Sequence, residues 1–113
     1  MHVRDYIPPQ ELPAKIMAST MTMVHNTDRS LTNAEVFARD FYPRVNRSES
    51  ELTPVFDQFY RERFPALKSA CRGLPGIARQ VVRTALDKGY EVVLATNPLF
   101  PRMAIEERMR WIE

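Results

Sequence analysis

Glu91-Val92-Val93-Leu94-Ala95-Thr96-Asn97-Pro98-Leu99-Phe100 is the stretch on which the fold turns. A β-branched apolar run follows Lys88-Gly89-Tyr90 and ends in a hydroxyl, an amide and a proline. It reads as a buried strand over 91–96 that delivers Thr96 and Asn97 to a loop at its carboxyl end. In an open α/β sheet, ligands bind at that end. Pro98 has no backbone N–H and holds Asn97 towards extended geometry, so the chain leaves the strand at once. Thr96 then presents its hydroxyl, with free backbone N–H groups nearby, above the sheet.

Helical patterns flank this strand. Pro101 starts a last helix carrying Met103, Ala104, Ile105, Met109 and Trp111. Upstream, Ile77, Val81, Val82, Ala85 and Leu86 mark an amphipathic helix closed by Lys88-Gly89. Ahead of that helix, Arg72-Gly73-Leu74-Pro75-Gly76 gathers two of the three glycines and a proline, which sets a boundary. Residues 1–72 form one region and 73–113 the other.

The first region reads as all-helical. Leu12, Ile16, Met17, Thr20 and Val24 recur at helical spacing over about 9–25. Thr32 and Glu35 have capping-box spacing for a second helix that presents Val36, Phe37 and Phe41 before Pro43 stops it. Ser48 and Glu51 repeat that spacing, but Pro54 suits the first helical position with Thr53 as its cap. Either start yields a face of Val55, Phe56, Phe59 and Tyr60 that can extend to Phe64. Pro65 ends or kinks this third helix, and 66–71 continue it briefly.

The fold class expected is mostly α with a short α/β portion: a helical bundle, then one strand between two helices. At 113 residues, with 44% hydrophobic and 27% charged residues, the chain is long enough for one modest core and outside the disordered and membrane classes. No apolar run approaches the roughly 20 residues of a bilayer span, and the first six residues do not resemble a signal peptide. The expected location is cytoplasmic. Cys71 is the single cysteine and reads as a buried, inert thiol. With a net charge of +2 and dispersed arginines, solvated helix faces explain the basic residues better than a phosphate-tracking stripe, so nucleic acid is not an expected partner, and without a long apolar run neither is a membrane. His2 and His25 have no partner at metal-ligand spacing.

The series Gly73-Leu74-Pro75-Gly76, helix, Lys88-Gly89-Tyr90, strand, Ala95-Thr96-Asn97 resembles the haloacid dehalogenase-like (HAD) hydrolase superfamily. The resemblance implies that Thr96 is the family's second-motif residue, a hydrogen-bond donor to phosphoryl oxygens, with Asn97 beside it. It makes 73–113 a partial Rossmann-like core unit and 1–72 the helical cap inserted between the first and second motifs. The implied activity is a phosphatase acting on a small phosphorylated metabolite through an aspartyl-phosphate intermediate, with Mg²⁺ as cofactor.

The chain also departs from that family. It has no Asp-x-Asp to supply the nucleophile and general acid, its last lysine is Lys88, upstream of Thr96, and no acidic metal-binding motif follows. The expectation is therefore a fragment holding the cap and the second-motif strand, with no catalytic residue of its own and no bindable Mg²⁺. Its missing neighbour strands leave 90–113 labile or prone to self-association. The rival, from another class, is a non-catalytic helical interaction module using Phe56, Phe59 and Tyr60 against a partner.

Overall fold

The computed structural model describes residues 2–71 and 76–111, so Arg72, Gly73, Leu74 and Pro75 of the expected boundary lie outside the described residues. A single 3-10 turn, Val3–Asp5, leads to α1 (Leu12–Val24), α2 (Asn33–Val45) and α3 (Glu49–Gln58). A π-helical turn, Phe59–Arg63, and a 3-10 segment, Phe64–Ala70, extend α3. Then follow α4 (Gly76–Asp87) and α5 (Arg102–Trp111). None of these helices is long and apolar enough to cross a membrane.

Local chemistry sets the ends of α2 and α3. Thr32 accepts from the Glu35 amide, and the Glu35 carboxylate takes the Thr32 N–H at 2.7 Å, closing the expected capping box. Pro43 does not stop the helix. The chain accepts one missing backbone donor and runs on to Asn46, whose φ of 53° is left-handed. Asn46 and Arg47 then return their N–H groups to the carbonyls of Pro43 and Tyr42, each at 3.1 Å. For α3 the cap is Ser48, with Glu51 completing the box, and not Thr53. Two reciprocal bonds at Ser48 outweigh the benefit of Pro54 at a first helical position.

α1 and α2 pack side by side over a core of Ile7, Phe41, Val45 and Leu52. Phe37 stacks on Phe41 with ring centroids 5.0 Å apart, and Phe56 of α3 meets Phe41 at 5.8 Å. A second cluster joins Phe64 to Ala104 and Trp111, the two aromatic rings stacking at 5.3 Å. Thus α5 closes onto the extension of α3.

The expected α/β portion is absent. Residues 91–99 form no strand, and among the described residues there is no sheet, so the Rossmann-like reading of 73–113 is overturned. A strand is defined by its ladder, and this apolar run has no second run beside it to exchange backbone hydrogen bonds with. Self-association by strand pairing therefore has no formed strand to start from. The amphipathic helix does form as α4. Its end is a left-handed Gly89 at φ 79°, with Gly89 and Tyr90 returning N–H groups to Leu86 and Ala85.

Yet the apolar face of α4 is uncovered: Ile77 is 68% and Val81 62% exposed, and Val93 in the following run is 72% exposed. The radius of gyration is 17.1 Å, against about 13 Å for a compact chain of this length. Cys71 is exposed, contrary to the buried thiol expected.

Candidate functional site

Thr96 and Asn97 are exposed on the extended segment between α4 and α5. They are not at the end of a strand. What holds them is a contact with α2. Asn33, the first residue of that helix, donates through Nδ2 to Asn97 Oδ1 at 2.9 Å and to the Pro98 carbonyl at 3.1 Å. The carboxyl-side anchor is Pro101, whose carbonyl accepts the Ala104 N–H at 2.9 Å as α5 begins.

The N-terminus of α2 beside this contact is already occupied. The Glu35 carboxylate sits there, and its pKa is held below the usual range by the Thr32 backbone N–H and then the Thr32 hydroxyl. That helix end therefore carries its own anion, and donors for a ligand must come from the loop. The Thr96 hydroxyl and the Asn97 amide group can donate to an oxyanion.

Asp40, the most heavily hydrogen-bonded of the described acids, is engaged elsewhere. Asp40 on α2 accepts from Ser19 at 2.6 Å and from Arg44, whose Nη2 donates to both carboxylate oxygens at 2.8 and 2.9 Å and whose Nε donates at 3.0 Å. The Ser19 hydrogen bond, then Arg44, keeps its pKa low. Ser19 itself is fully buried on α1, so this is a clamp between two helices and not an accessible site. Among the described residues no group of three or more His, Cys, Asp or Glu side chains could hold a metal ion.

Two surface depressions, of about 370 Å³ at the α2–α3 turn and about 130 Å³ between the first turn and α3, contain neither Thr96 nor Asn97. Of the aromatic residues of the rival reading, Phe56 and Tyr60 are half-buried in packing, while Phe59 is exposed. Phe56 meets Phe41, and Tyr60 lies 5.3 Å from Phe64 with Phe59 set edge-on against both.

Sequence reasoning missed Asn33. Its partner is 64 residues away, and nothing in the spacing of either residue announces the pair. No family model matches the chain, and neither a curated protein nor a solved structure does.

Proposed function

We propose that this chain supplies the helical cap and the phosphoryl-binding second-motif loop of a HAD-like phosphatase, working in the cytoplasm on a small phosphorylated metabolite. The observation that carries the reading is the pair Thr96 and Asn97. Both are exposed and follow an apolar run, and Asn97 and the next residue, Pro98, are tied to the helical region by Asn33. Thr96 Oγ donates to a phosphoryl oxygen, and Asn97 adds an amide donor. Neutral donors fixed in place stabilise charge on a transferring phosphoryl group without reorganising.

In the complete reaction an aspartate supplied from outside these 113 residues attacks phosphorus, and the P–O bond to the substrate alcohol breaks. Water then cleaves the acyl phosphate and regenerates the carboxylate. The chain's own residues bind and orient; none of them is the nucleophile.

The uncovered face of α4 and the apolar run after it support the same reading, because they offer the surface that a surrounding core would bury. The test has two parts. The flanking coding DNA is expected to encode an Asp-x-Asp after an apolar strand upstream, with a lysine and an acidic pair downstream. The purified 113-residue chain is expected to leave p-nitrophenyl phosphate unhydrolysed with Mg²⁺, whereas the longer product turns it over. Mg²⁺-dependent turnover by the short chain, or flanks without those residues, sinks the proposal.

A further inference from the structure

The contact between Asn33 and the 96–98 loop fixes more than the position of a backbone. A peptide carbonyl can only accept, so Asn33 must turn its NH₂ group towards Pro98. That same NH₂ group also faces the Asn97 side chain, which must then offer its oxygen. The orientation of both carboxamides, commonly ambiguous by O/N exchange, is thereby set by one unambiguous acceptor. With Oδ1 spent on Asn33, Asn97 is left with an Nδ2 group carrying two donors. Neither that group nor the Thr96 hydroxyl has a hydrogen-bond partner among the described residues.

We infer that Asn33 is a positioning residue: it fastens the 96–98 loop to the start of α2 and orients Asn97 so that its amide N–H groups, with the Thr96 hydroxyl, face a tetrahedral oxyanion. The second half rests on the phosphatase reading; the first does not. Asn33 suits the task because it sits just past the Thr32 cap. Its side chain is not needed by the helix, whose capping box is complete without it. The helical region thereby controls a donor that touches substrate, through a residue that does not.

The test uses the full 113-residue chain, isotopically labelled, with Asn33→Ala and Asn33→Asp. Alanine removes both donors without adding charge. Aspartate keeps the shape and favours the first turn of a helix, yet points an acceptor at two oxygens. Unchanged amide exchange at Val36 and Phe41 certifies that α2 is intact in both.

In the parent chain, backbone order parameters at Asn97 and Leu99 are expected in the rigid range, about 0.85, and in both variants below about 0.6. Inorganic phosphate is expected to shift the Asn97 side-chain amide and Thr96 signals saturably, with affinity at least fivefold weaker in Asn33→Ala. Wild-type order parameters in both variants, or an undiminished phosphate response in Asn33→Ala, overturn the inference. Loop release in both variants with no phosphate response in the parent chain supports the positioning role and defeats the phosphatase reading instead.

Discussion

α2 and α4 are both amphipathic helices with a well-made carboxyl end, and they meet opposite fates. Phe41 of α2 is wholly buried among Ile7, Val45 and Leu52, while Ile77, Val81 and Leu86 of α4 face solvent. Periodicity and capping made both helices. Only a facing apolar surface made one of them part of a core. The packed part, from Val3 to Ala70 with α5 docked on it, holds both buried apolar clusters. The region formed by α4 and residues 90–100 holds the residues proposed to touch substrate.

Phe41→Ala tests the packed part hardest. It removes a ring that contacts Phe37, Tyr42 and Phe56, and a loss of about 3–5 kcal/mol is expected from the urea midpoint. A loss below 1 kcal/mol, read on the same scale, would mean that this core is not the one that forms in solution.

Thr96→Val reverses the pattern. Thr96 is exposed and buries nothing, so the melt is expected to stay put. In the complete enzyme the loss of one donor to the phosphoryl group is expected to raise the barrier by about 2.7–4 kcal/mol, a rate drop of about a hundredfold or more. Unchanged turnover would return Thr96 to an ordinary surface hydroxyl.

Ser19→Ala probes the clamp between α1 and α2. The hydroxyl donates to a charged acceptor from a fully buried position, and its removal is expected to cost about 1.5–3 kcal/mol. Asp40 keeps Thr22 and Arg44, which limits the loss.

Acid acts on the same part of the molecule. Asp40, Glu35, Glu51 and Glu107 all have folded pKa values below their ordinary 3.8 or 4.5, through hydrogen bonds from Ser19, Thr32, Ser48 and Trp111 respectively. A carboxylate with a depressed folded pKa contributes stability that is complete above its unfolded value and fades as pH falls towards the folded one. Helical ellipticity and Trp111 fluorescence should therefore hold above 4.5 and decline together below 3.8. Asp40→Asn should flatten part of that decline, and an unaltered acid limb would show the clamp to be idle.

How much of this was legible follows from where each signal lives. The capping box at Thr32 and the glycine end of α4 are local, within three or four residues, and both could be read directly. The start of α3 was misjudged because Ser48 and Thr53 both offer a cap, and a proline preference was given more weight than two reciprocal bonds. On α1 the inward row is Ser19 and Met23, both buried, with Leu12 and Ile16 half-buried; Met17 and Val24 are exposed. A serine at the centre of that row hid it, since its burial depends on Asp40 of another helix. The apolar run at 91–96 was misread for the opposite reason. Its composition is that of a strand, but composition supplies no partner, and without one there is no ladder.

The smallest effect is the most exacting for the comparison. Val81 lies mid-way along α4 and is 62% exposed, so Val81→Ser removes little surface from any contact. Serine and valine have similar helix propensities, which leaves α4 itself nearly unchanged. The expected shift in unfolding free energy is within about 0.5 kcal/mol. Val55→Ser makes the control, since Val55 is buried in α3 and the same exchange there strands a hydroxyl in apolar packing. If Val81→Ser instead cost as much as Val55→Ser, the face of α4 would be covered in solution. The contrast between a packed region and an open one would then fail, and with it the argument that the open face awaits a surrounding core.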